Sequence, residues 1–189
     1  MNRNLAWGLV LTVGLAMPAS SQDSGSHDKN VDVHIPAADL HIGDDADAKK
    51  IGVPLYPGAR LKTDDPNSSQ ANLSLLTEAF GMKLIVAKYV TGDSPAKVLD
   101  FYRDKLKKYG KVLECHSQKH GGDVDVHDDD KDSGKSKELK CDENSGPVTE
   151  LKVGTEDNQR VVAVEPGDGS KGSSFALVYV YTRGKRGDI

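Results

Sequence analysis

The stretch Asp93-Ser-Pro-Ala-Lys-Val-Leu-Asp-Phe-Tyr-Arg-Asp-Lys-Leu-Lys-Lys-Tyr-Gly110 constrains the fold more than any other, because it specifies one long amphipathic helix. Ser94 is placed to cap the first turn, Pro95 sits at N1 where its missing donor costs nothing, and Asp93 puts negative charge near the positive end of the dipole. At about 100° per residue, Val98, Tyr102, Leu106 and Tyr109 share an arc that Leu99 and Phe101 widen into one apolar face. Asp100, Asp104, Lys107 and Lys108 take the opposite side. Asp104 and Lys108 have the spacing of an i,i+4 pair, worth about 0.3 kcal/mol, and Gly110 supplies the stop. A helix with one apolar stripe must bury it, and the flanking sequence offers strands to bury it against.

Met82 to Thr91 alternates Leu84, Val86 and Val90 with Ile85, Ala87 and Tyr89, so both faces are apolar, as in an interior strand. Asn72 to Phe80 fits either a helix or the first arm of a hairpin closing near Gly81, and we read it as a strand. After the helix, Lys111 to Cys115 reads as a short strand. Glu150 to Gly154, Gln159 to Glu165 and Ser174 to Thr182 follow as an antiparallel meander. The last of these carries Phe175, Leu177, Tyr179 and Tyr181 on one face and Ala176, Val178 and Val180 on the other, more apolar surface than one helix can cover. The expected class is therefore α+β: a small antiparallel β-sheet of about five to six strands packed on one main α-helix, with a long disulfide-bounded loop.

Upstream, residues 1–21 have the form of a signal peptide, with Arg3 in the n-region, an apolar run from Leu5 to Ala16, and Ala19-Ser-Ser21 as a cleavage site. Residues 22–50 are polar and acidic, interrupted by Pro36, and read as a flexible polar spacer, with Val31 to Ile35 an isolated strand-like alternation. His27, His34 and His41 recur every seven residues there, but Pro36 argues against the helix that would align them. Residues 51–189 form the expected single domain. Without Arg3 the 25 basic side chains fall to 24 against 29 acidic ones, a formal charge of −5, which disfavours nucleic acid as a ligand. The mature chain has no transmembrane segment, so export implies a secreted or periplasmic protein. There, the even cysteine count predicts a Cys115–Cys141 disulfide.

Two strings, Val53-Pro-Leu-Tyr-Pro-Gly-Ala59 and the Asp93-Ser-Pro helix bearing Phe101-Tyr102, resemble a pattern in uncharacterised bacterial secreted and envelope proteins: a Tyr-Pro-Gly-Ala turn, a strand and an Asp-Ser-Pro-capped Phe-Tyr helix. The resemblance covers roughly residues 51–109 and implies fold and export, with no agreed activity and no catalytic residues. The Asp/His-rich insertion at 116–140 departs from it.

That insertion, expected to be disordered, holds the candidate metal ligands His116, His120, His127, Asp128, Asp130 and Asp132. Imidazoles and carboxylates suit Zn²⁺, Ni²⁺ or Cu²⁺. Asp128, Asp130 and Asp132 also match the opening of a Ca²⁺ loop, but Ser133 stands where its glycine belongs and Leu139 where its bidentate glutamate belongs. The same composition describes a solvated loop, which a disulfide at its base would stabilise by roughly 3 to 4 kcal/mol on a chain-entropy argument. All six histidines lie in the spacer or this loop, so strands and helix supply no imidazole base. Of the carboxylates, Glu78, Asp93, Glu114 and Glu165 have no spacing that brings them together, and no Gly-x-Ser-x-Gly or His-Glu-x-x-His motif is present. The expectation is a non-enzymatic domain without cofactor, in a binding or envelope-associated structural role with a protein or envelope partner. The alternative is a divalent-cation-binding protein using the Asp/His loop.

Overall fold

The computed structural model describes residues 30–44, 46–63, 69–118, 138–141, 144–167 and 171–184. Within them the chain runs β1 (Val31–Ile35), β2 (Ala38–Gly43), α1 (Ala48–Ile51), β3 (Arg60–Leu61), β4 (Gln70–Thr77) and β5 (Gly81–Thr91). It continues with α2 (Pro95–Leu106), a 3₁₀ turn at Lys107–Tyr109, β6 (Leu113–Ser117), β7 (Val148–Thr155), β8 (Asn158–Pro166) and β9 (Ser173–Arg183). Residues 1–21, expected as a signal peptide, lie outside the described residues.

The expected small sheet on one main helix is overturned: all nine strands join a single antiparallel sheet, and the protein is mostly β. The order is β1-β2-β4-β5-β9-β8-β7-β6, with β3 beside β5. The undercount has a local cause. Pro36 was expected to interrupt the segment, but it begins a two-residue turn, Pro36-Ala37, between strands paired Val31↔Ile42 through Ile35↔Ala38. Its fixed φ suits a turn position as well as it opposes a helix. Ala38–Gly43 then pairs with β4, so part of the expected spacer widens the sheet.

The long strands sit centrally. β5 and β9 pair over their full length, Gly81↔Arg183 through Thr91↔Ser173, and the meander β7-β8-β9 forms as the alternation predicts. At the β7–β8 turn Gly154 has φ 111°, and a Cβ there would lie 2.1 Å from Asn158 O, so only glycine fits. One sheet face carries the main core. Val98, Leu99, Tyr102 and Leu106 of α2 pack on Leu151 and Val153 of β7, Val162 and Val164 of β8, and Phe175 and Leu177 of β9. Ala46, Ala48 and Ile51 join them from around α1, so the core begins before Ile51. Asp47 caps that short helix, accepting from Lys50 N at 2.7 Å.

The surplus apolar side of β9 forms a second cluster on the opposite face, where Ala176, Val178 and Val180 meet Val148, Val161 and Ala163, with Leu84 and Val86 alongside. Two details of α2 differ from expectation. Ser94 makes no side-chain cap bond; its carbonyl accepts from Lys97 N and Val98 N instead. Asp104 pairs with Lys105 and Lys107, while Lys108 lies over the Tyr109 ring.

Candidate functional site

The turn and the helix start that carry the sequence resemblance meet as one structural clasp. Gly58, at φ 73°, makes the turn that returns Ala59 N to Tyr56 O at 3.1 Å. Tyr56 N donates to Tyr102 Oη at 3.1 Å, and its ring contacts Phe101 and Phe175 edge-on. Tyr56 Oη donates to Asp93 Oδ2 at 3.0 Å, Lys97 Nζ lies 2.8 Å from Asp93 Oδ1, and Ser173 Oγ donates to Asp93 O at 2.6 Å. Burial raises the Tyr102 phenol well above its ordinary range, so it stays protonated and acts as a fixed hydrogen-bonding group.

The hydrogen bond from Lys97, followed by that from Tyr56, lowers the Asp93 carboxyl below its ordinary value. A carboxyl depressed on folding adds stability above its unfolded pKa of about 4, and loses it as pH falls through the lower folded value. Asp93→Asn is therefore expected to flatten the acid limb of the stability curve below about pH 4. Urea midpoints of both proteins from pH 2 to 6 check this, and parallel curves would contradict it.

The other carboxylates considered from sequence do not converge on Asp93. Glu114 on β6 takes both Nε and Nη2 of Arg103, at 3.0 and 3.1 Å. Glu78 lies in the β4–β5 turn, and Glu165 sits on β8 opposite Ser174. An open depression beside α1 is bordered by Asp47, Lys49, Leu55 and Lys108, with Tyr89 at its floor. The Tyr89 hydroxyl is already engaged, accepting from Ala48 N at 3.1 Å.

The Cys115–Cys141 disulfide is formed. His116 is on β6 opposite Thr149, its Nδ1 3.4 Å from Thr149 Oγ1. His120, His127, Asp128, Asp130 and Asp132 lie outside the described residues, and so does most of the 116–140 insertion. Among the described residues no group of three or more His, Cys, Asp or Glu side chains is placed to hold a metal ion. What the disulfide does show is how one margin of the sheet is closed. Cys141 is tied to the edge strand β6, and Asn144 makes a parallel bridge to His116 on its outer side.

The opposite margin is different. Among the described residues β1 pairs only with β2. On one face of this hairpin His34 Nδ1 meets Asp39 Oδ1 and His41 Nδ1 meets Asp32 Oδ1, each at 2.6 Å, as directly opposed cross-strand pairs. The seven-residue spacing of His34 and His41 therefore belongs to a hairpin rather than a helix; His27 lies outside the described residues. The other face is apolar and open: Val31, Val33, Ile35 and Ile42 are 52%, 42%, 57% and 46% exposed. The Val-Asp-Val-His-Ile alternation held that signal, but without its partner strand it gave no reason to place the segment in a sheet.

Two further arrangements were hidden from sequence reasoning. Arg160 is stacked between the rings of Tyr109 and Tyr179, at 4.1 and 4.6 Å, and donates from Nε to Ile51 O at 3.0 Å, fastening α1 to the sheet. On β7, Glu150 and Lys152 are both 1% exposed, with Lys152 Nζ 3.6 Å from Glu150 Oε2 and Ser117 Oγ donating to Glu150 Oε1 at 2.6 Å.

No helix among the described residues is long and apolar enough to cross a membrane. No family model matches the chain, and neither a curated protein nor a solved structure shows significant similarity to it.

Proposed function

We propose that the protein is a non-enzymatic, secreted or periplasmic binding domain that takes an extended polypeptide segment as an added strand along β1. The observation that carries this reading is the contrast between the two sheet margins. The β6 edge is closed by the disulfide and by Asn144, whereas β1 is a five-residue edge strand with no Lys, Pro or Gly among its residues. Lys, Pro, bulges and covering segments are common devices that blunt an edge, and an edge without them is a template for pairing, with Asp32 and, when protonated, His34 the only charged side chains on β1. Strand addition draws affinity from main-chain hydrogen bonds and specificity from alternate side chains, and β1 offers an apolar row on one face and an Asp/His row on the other. The disulfide supports placement in an oxidising compartment.

The reading is tested with fluorescent nine-residue peptides that alternate Val or Ile with Asp or His, against scrambled peptides of equal composition. Saturable binding of the alternating set is expected, weakened at least tenfold by His34→Pro. Equal binding of both sets, or no effect of His34→Pro, would remove it.

A further inference from the structure

The ladder geometry fixes which backbone groups β1 presents. Thr77 N donates to Phe80 O at 2.7 Å, so Thr77, Leu75 and Leu73 bond towards β5. Bonded and non-bonded pairs alternate along and across antiparallel strands. Asp39, His41 and Gly43 therefore bond towards β4, and Val31, Val33 and Ile35 towards β2. The N–H and C=O groups of Asp32 and His34 are left pointing out of the sheet, at an edge with no partner strand among the described residues.

Only three in-phase registers between two such edges need comparison. One sets Asp32 against Asp32 of a second copy, one sets His34 against His34, and one sets Asp32 against His34. The first two oppose like side chains. The third gives two bonded pairs, Asp32 with His34 and His34 with Asp32, around a non-bonded Val33 pair. It also places Val31 against Ile35 on the apolar face. Because Asp32 already uses Oδ1 on His41 and His34 uses Nδ1 on Asp39, Asp32 Oδ2 and His34 Nε2 are uncommitted among the described residues. Directly opposed side chains in a ladder are close enough for these atoms to bond, with Asp32 Oδ2 accepting from Nε2–H of the doubly protonated His34 ring, whose Nδ1–H serves Asp39. The acid–imidazole row of one hairpin then runs on into the next: Asp39, His34, then Asp32 and His41 of the second copy.

From this complementarity we propose that β1 pairs antiparallel with β1 of a second copy of the chain, centred on Val33, as an isologous two-fold interface. The inference rests on the strand-addition reading and names its partner. Each contact is made twice, and the two sheets become one continuous sheet whose apolar faces meet across the seam.

Analytical ultracentrifugation of the oxidised full-length mature chain over a range of concentrations, with single-cysteine crosslinking in a glutathione buffer, tests it. The wild type is expected to pass from one copy to two as concentration rises. His34→Pro removes an outward N–H and the imidazole while leaving the main-chain bonds to β2 in place, at the loss of the exposed His34–Asp39 side-chain pair, and should weaken the association at least tenfold. Val33→Cys should give a disulfide-linked dimer, whereas Val31→Cys and Ile35→Cys should each link at least tenfold less alone, yet link to one another when mixed. A wild type that sediments as one copy at every concentration overturns the second-copy inference. If alternating peptides still bind in a His34-dependent way, the strand-addition reading survives that result. A dimer that persists in His34→Pro, or equal linking through positions 31, 33 and 35, likewise overturns the proposed register and interface.

Discussion

Val98→Asp is expected to leave the chain without a cooperative native state at 25 °C. Val98 is fully buried where α2 meets the sheet, in the cluster that includes Tyr102, Leu151 and Phe175. The substitution forfeits about 1.5 to 3 kcal/mol of apolar burial. It also places a carboxyl in an apolar site, at a cost of roughly 2 to 7 kcal/mol if it finds no hydrogen bond. Together these come to about 4 to 10 kcal/mol, which reaches the lower part of the stability of an ordinary domain, about 5 to 15 kcal/mol. Tyr102→Asp should behave alike, with the added loss of the acceptor for Tyr56 N. Amide dispersion in a proton–nitrogen NMR spectrum reads the outcome directly. A dispersed spectrum with a wild-type urea midpoint would show that α2 does not hold the core.

The second large effect concerns the opposite face. Lys152→Met should destabilise the protein by about 3 kcal/mol, because it leaves the buried Glu150 carboxylate without its cation. Replacing both residues, as Glu150→Leu with Lys152→Met, should recover most of that loss, since two apolar side chains remove both charges from the interior. Urea unfolding of the two variants decides the matter. A double variant no better than the single one would mean that Ser117 and the other neighbours, rather than the ion pair itself, account for the cost.

The parts of the fold legible in the sequence are those where apolar residues are dense and periodic. The stripe of α2, the two-sided alternation of β5 and the β7-β8-β9 meander follow from burial alone, and the disulfide follows from the even cysteine count. The β1–β2 hairpin was hidden because it extends the sheet without joining the main core, so its few apolar residues remain open and its composition looks like that of a spacer. Glu150 and Lys152 were hidden for the opposite reason. Alternation with Leu151 and Val153 assigns them to a solvent face, but that face is covered at β7. The candidate edge was legible only in fragments: the alternation of Val31 to Ile35 and the spacing of His34 and His41 acquire meaning when Pro36 is placed in a turn.

The position of β9 sets the order in which this protein can become folded. β9 is the last of the described elements along the chain, yet it lies in the middle of the sheet, joining β5 on one side to β8 on the other. A chain that lacks residues 173–183 has two half-sheets with nothing between them, and α2 has no Phe175 or Leu177 to rest on. The sheet is completed only when β9 pairs, so its two halves are joined through long-range contacts made by the C-terminal strand.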